Sequence, residues 1–151
     1  MSYSTVRDIL DFSEKLHRHT AALYEGLRDT TQRERVDMML KLLSSHEQKL
    51  AEVTAAYRDE TKGRVLDEWH QFEPADVGDL LDGAKELHAD IAIEELVNIA
   101  LKVDDYLIAA YRQFAADASS GKVRELFEDL AGLEQAEKIS AVRAALSASD
   151  W

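Results

Sequence analysis

The chain contains no cysteine, which removes disulfides, thiolate zinc sites, iron–sulfur clusters and cysteine nucleophiles from consideration. Proline occurs once and glycine six times in 151 residues, so long stretches run without a helix breaker. Positive charge is scarce: 18 Lys and Arg stand against 30 Asp and Glu, a net charge of −12. No basic stripe is available to displace counterions from phosphates, so neither nucleic acid nor an anionic membrane is expected as a partner. Apolar runs long enough to span a bilayer are missing, and the opening MSYSTVRDIL lacks a basic-then-apolar leader pattern; a cytoplasmic location is expected. There is also no Gly-rich phosphate loop or nucleophile elbow.

What is present is helical periodicity on a scale that fits one domain. Hydrophobic residues make up 46% and charged residues 32%, the balance of a chain that folds around a core. Val6, Ile9, Leu10, Leu16, Leu23, Tyr24 and Leu27 recur at helical spacing, with Thr5 and Asp8 resembling a capped start and the serine-rich residues before them as alternatives. Thr31 and Glu34 suggest a capping box opening a second helix, whose stripe is Val36, Met39, Leu40, Leu43, Leu50, Val53 and Tyr57. Gly63 reads as its stop. Residues 64–90 differ in texture: Trp69, Phe72, Pro74, Gly78 and Gly83 suggest a crossover with one or two short helical turns, Pro74 sitting in the first turn of one. A third helix carries Ile93, Leu96, Val97, Leu101, Leu107, Tyr111 and Phe114. After the corner Ser119-Ser120-Gly121, a fourth carries Val123, Leu126, Phe127, Leu130, Leu133, Ile139, Val142 and Leu146.

The two halves repeat. A shift of 87 positions sets Val6 on Ile93, Ile9 on Leu96, Leu16 on Val103, Tyr24 on Tyr111, Val36 on Val123, Leu40 on Phe127 and Leu43 on Leu130, without a gap. Any two amphipathic helices can be slid into phase, but chance does not readily hold one offset through two helices and the corner between them. The expected fold is therefore all-α: two related helical hairpins, residues 4–61 and 91–148, forming an up-down four-helix bundle with the crossover between helices 2 and 3.

The same alignment exposes inward positions that are not apolar. His17 lies one turn from Leu10, Ser13, Thr20 and Tyr24, and its repeat partner is Asp104. Glu47 continues the stripe of Leu40, Leu43 and Leu50; its partner Glu134 continues that of Phe127 and Leu130, with Glu137 one turn on. Burying unpaired carboxylates costs several kcal/mol, so these acids require partners, protons or a metal. Lys49 and Lys138 point about a quarter-turn away, and His46 and His19 read as solvent-facing neighbours. Tyr24 and Tyr111 read as core aromatics whose hydroxyls find a partner, Met38 and Met39 as packing, and Trp69 and Phe72 as anchors of the crossover onto the bundle or onto a partner subunit.

On these residues the chain resembles a known family. Ala100-x-x-x-Asp104, Tyr111 seven residues later and LFEDLAGLEQAE from Leu126 to Glu137 look like the second half of a ferritin-like, rubrerythrin-type di-iron carboxylate protein, and the first half shows the same frame through Tyr24 and Leu43 to Glu47. Such bundles carry a glutamate on each of two helices and a Glu-x-x-His pair on each of the other two. The resemblance implies that His17 and Asp104 stand at the single-glutamate positions, that Glu47 and Glu134 stand at the bridging positions, and that Leu50 and Glu137 replace the histidines. It implies an asymmetric metal site on His17, Glu47, Asp104, Glu134 and Glu137, holding one or two iron ions, or manganese or zinc. Its chemistry would be that of a rubrerythrin-like oxidase or peroxidase, or of a metal-handling module with little turnover. Without cysteines no rubredoxin-type domain is attached, so a separate electron donor would be needed; association into homodimers is also implied. No catalytic residue is singled out. The residues alone leave open a metal-free bundle that serves as an interaction scaffold.

Overall fold

A computed structural model describes residues 2–73 and 91–149. Within them the chain forms strand β1 (Tyr3–Thr5), helix α1 (Val6–Arg28), helix α2 (Glu34–Glu60), a short helix α3 (Gly63–Leu66), strand β2 (Trp69–Gln71), helix α4 (Ile93–Asp117) and helix α5 (Gly121–Ser149). The protein is all-α in class. The 87-residue offset recurs in the backbone: α1 begins at Val6 and α4 at Ile93, and α2 begins at Glu34 and α5 at Gly121. No helix among the described residues is long and apolar enough to cross a membrane.

The helix starts show how local chemistry sets the boundaries. Thr5 caps α1 rather than a preceding serine, and the capping is reciprocal: the Asp8 amide donates to Thr5 Oγ1 at 3.1 Å and the Thr5 amide to Asp8 Oδ2 at 3.2 Å. Ser120 performs the same service for α5, accepting from the Val123 amide at 3.2 Å. The expected Thr31–Glu34 box does not form. Helix α2 is capped by Arg33 without a side-chain bond, and Thr31 Oγ1 instead accepts from the Arg33 amide. The turn therefore consumes the hydroxyl one residue too early for it to reach the helix.

Four long helices pack as two hairpins, α1 on α2 and α4 on α5, which meet through α2 against α5 and α2 against α4. Two apolar clusters result. One joins the first half of α1 (Val6 to Leu16), the second half of α4 (Val103 to Ala115) and the first half of α5 (Val123 to Ala131), with Leu66. The other joins Tyr24, the first half of α2 (Val36 to Leu43), the first half of α4 (Leu96 to Ala100) and Ala141. These shared halves mean that α1 and α5 run one way and α2 and α4 the other. The midpoints of all four helices fall between the clusters, where His17, Glu47, Asp104 and Glu134 are buried.

The segment after α2 departs from the sequence reading. Gly63 begins α3 rather than stopping α2, and α3 is a single turn. Residues 69–71 then form a strand, antiparallel to residues 3–5, with Ser4 opposite His70. Alternation explains the choice: Ser4 and His70 point inward and are buried, while Tyr3 and Trp69 point outward. Phe72 anchors the segment as expected, its ring 5.7 Å from Phe12 and 5.1 Å from Phe114 in edge-on contacts. Trp69 is 64% exposed on the single chain. Pro74, Gly78 and Gly83, with the helical turn assigned to Pro74, lie outside the described residues. At the margins of the stripes, Leu23, Met38, Ile139 and Leu146 are exposed rather than packed, because a helix buries a sector and these residues fall just outside it.

The Thr5 box predicts a measurable effect. Replacing Thr5 with Ala is expected to lower stability by about 1 kcal/mol, read as a reduced urea midpoint at unchanged slope; an unchanged midpoint would mean that the box contributes nothing.

Candidate functional site

The central layer begins with His17, which α1 places on the same face as Ser13, Thr20 and Tyr24 and which is wholly buried. Its Nδ1 donates to Glu47 Oε2 at 2.5 Å. Its Nε2 lies 2.6 Å from Glu134 Oε1, but that approach is bent away from hydrogen-bond alignment, so the contact is chiefly ionic. One imidazole thus joins a carboxylate of its own hairpin to a carboxylate of the other. Glu47 and Glu134 are respectively 4% and 2% exposed, and neither reaches solvent well enough to be neutralised there.

Electrostatics follow from this arrangement. Burial opposes charge on His17, but the Glu134 and Glu47 carboxylates outweigh it and raise the imidazole to about 10. It is an imidazolium at neutral pH. Asp104, the repeat partner of His17, is also buried; desolvation and the charges of Glu47 and Glu134 push it up to about 8, with His17 pulling the other way. At neutral pH it holds its proton. Burial likewise raises Glu134, against the pull of His17. The Tyr24 hydroxyl is raised by burial and by Glu47 and Asp104, and that of Tyr111 by burial and Glu134, which sets both phenols beside the acids.

Several buried polar atoms around this layer have no hydrogen-bond partner, among them Glu134 Oε2, His17 Nε2 and the hydroxyls of Tyr24 and Ser44, while the Ser13 hydroxyl lies within reach of that of Tyr111. Orphaned groups of this kind are uncommon in a folded interior. The two serines lie one turn before His17 and Glu47 on the same stripes, and their repeat counterparts are Ala100 and Ala131. That alternation of hydroxyl and methyl was the available sequence signal for them.

Four of the five expected ligand residues therefore share the central layer: His17, Glu47, Asp104 and Glu134. Glu137 does not join them. Its Oε1 accepts from Lys49 Nζ at 2.8 Å and its Oε2 lies 3.1 Å from His46 Nδ1. Lys49 is thus a partner where the helical wheel placed it aside, because its four-carbon stem carries the ammonium back across the quarter-turn. His46 is half-buried against Glu137 rather than solvent-facing. Among the described residues no three His, Asp or Glu side chains converge on one point as ligands around an ion do; the imidazole ring itself stands between the two glutamates. No family model, curated protein or solved structure matches the chain.

The raised groups define how the metal-free protein responds to pH. The His17 contacts are fully present below about 6.5 and are lost as pH rises through about 10, while Asp104 holds in the fold a proton that the unfolded chain releases above about 3.8, up to about 8. Both make stability fall as pH rises, most steeply between about 6.5 and 8, where the folded chain holds about two extra protons. Urea midpoints measured from pH 6 to 9 should decline; a flat or rising profile would contradict the burial of the imidazolium. His17→Gln should flatten that decline and cost about 3–5 kcal/mol at pH 6, since it strands two buried carboxylates without their cation.

Proposed function

We propose that the chain is a ferritin-like four-helix bundle of rubrerythrin type, its hairpins joined by a crossover, and that its central cluster binds divalent iron or manganese. One observation carries this reading: two carboxylates from separate hairpins meet the two nitrogens of one imidazole in the dry centre of the stack, with Asp104 beside them. The donor types suit such an ion, although the side chains do not converge on one point in this structure. Carboxylates with an imidazole suit iron, manganese and zinc, and the unmatched Glu134 oxygen and the two phenols supply further polar contacts at the same level.

The chain's own residues would divide the work. Glu47 and Glu134 supply the charge that draws a cation inward, and Asp104 adds a third carboxylate once its proton leaves. His17 can ligate only after losing an N–H proton, so metal and proton compete for it and binding strengthens as pH rises. Tyr24 and Tyr111 can donate to the carboxylates and hold them in place. The apolar clusters above and below exclude water. Iron or manganese bound there would supply one-electron chemistry towards oxygen or peroxide, with electrons from a separate donor.

A second reading has its own support. His17 Nδ1 already donates to Glu47 at 2.5 Å and Nε2 lies in ionic contact with Glu134 at 2.6 Å, so the imidazolium can serve as the permanent internal cation of a metal-free scaffold. Anaerobic loading with ferrous iron or Mn(II), followed by removal of free ions, separates the two. Metal binding predicts ions retained after desalting, protons released on binding, and stabilisation of about 2.7 kcal/mol at a free-ion concentration of 100 Kd. Glu134→Gln should abolish retention. A protein that keeps no ion and whose melting is unmoved by either metal is the scaffold.

A further inference from the structure

The outer face of α5 departs from the rest of the surface. Charged residues make up 32% of the chain, yet the outward line Gly132, Gln135, Ala136 and Ile139 carries none. These four fall within one sector of the helix. Ile139 is 42% exposed, and beside Gly132 a groove opens between α4 and α5, with Arg112 and Ala116 on its far wall. A Cβ added at Gly132 would meet nothing within 4 Å, and its backbone does not adopt a positive φ. Nothing among the described residues therefore calls for glycine here, although glycine weakens a helix interior relative to alanine.

The order of residues on this face is self-complementary. Gly132 and Ile139 lie equally far on either side of the midpoint between Gln135 and Ala136, and so do Glu128 and Arg143. Two antiparallel copies of α5 crossing at that midpoint set Ile139 over the partner's Gly132, a knob against a notch, and Glu128 against the partner's Arg143. The same contacts then recur in reverse, which is what a two-fold axis requires. Glu128 and Arg143 are both exposed, and neither has an ion-pair partner among the described residues of its own chain. A net charge of −12 makes most of the surface repel a second copy; along this line that repulsion is absent, and at its ends it is replaced by attraction.

We propose that α5 is the docking face for a second copy of this chain, in an antiparallel two-fold pairing centred between Gln135 and Ala136 and fixed in register by reciprocal Glu128–Arg143 contacts. Small residues at the crossing let the helix axes approach closely, and Gly132 is glycine to admit the partner's Ile139. The central cluster takes no part, so the inference stands apart from the metal-binding reading.

Sedimentation equilibrium of the full chain over a wide concentration range is expected to show monomers in equilibrium with dimers; a monomer at every concentration overturns the inference. Ile139→Glu should abolish the dimer and leave helical content and the urea midpoint near those of the wild type, because the position is exposed. Glu128→Arg or Arg143→Glu alone should raise the dimer dissociation constant about tenfold or more, since each sets like charges face to face. The two reversals combined should bring it back. A dimer indifferent to Ile139→Glu, or one that the combined reversal fails to rescue, overturns this face in favour of another, such as that of the exposed Tyr3 and Trp69.

Discussion

The imidazole ring of His17 joins two carboxylates from opposite hairpins in the dry centre of the stack. Removing a charge from water into a protein interior is expensive, and only close pairing with an opposite charge offsets it. Here the offset is mutual: Glu47 and Glu134 raise His17 to about 10 although burial works against it, and the resulting imidazolium restrains the two acids. The contact also crosses the hairpin boundary, from α1 to α5, so it fixes how the two halves of the chain sit on each other. An apolar layer can slide with little penalty, whereas a bridged ion triad has one register. The placement of Asp104, the phenols and the serines all follows from that register.

The position of this layer is as informative as its content. Apolar clusters lie on both sides, each built from opposite halves of helices running in opposite directions, and the polar residues occupy the midpoint of all four. A buried polar layer destabilises a small domain relative to a wholly apolar one. The repeat sharpens the contrast between halves. Where one hairpin has Ser13, His17, Ser44 and Leu50, the other has Ala100, Asp104, Ala131 and Glu137. The backbone stays symmetric while the donors do not, and an ion placed between the hairpins would meet nitrogen and oxygen on one side and oxygen alone on the other.

Much of this was legible before any coordinates. The four helices and their corners follow from apolar spacing, the Thr5–Asp8 box from its spacing of three, and the inward facing of His17, Glu47, Asp104 and Glu134 from their places on otherwise apolar stripes. The strand pairing of residues 3–5 with 69–71 was not legible, because three residues show too little of the two-residue alternation to stand out and the partners are 64 or more residues apart. The Thr31 box failed because Oγ1 is taken by the nearer Arg33 amide. The Lys49 contact does not show on a helical wheel, which places Cβ atoms and not the end of a long flexible stem.

The amino-acid order by itself determined that four amphipathic helices would form in two related pairs and that each would carry one acid or imidazole at its midpoint, since periodicity and capping act within a few residues of chain. Which groups meet was decided only by the packing of the hairpins. That packing set His17 against Glu134 across 117 positions and turned Glu137 to Lys49 and His46, because distance in space, and the competition of nearby charges for the same carboxylate, arise only when the helices are in place.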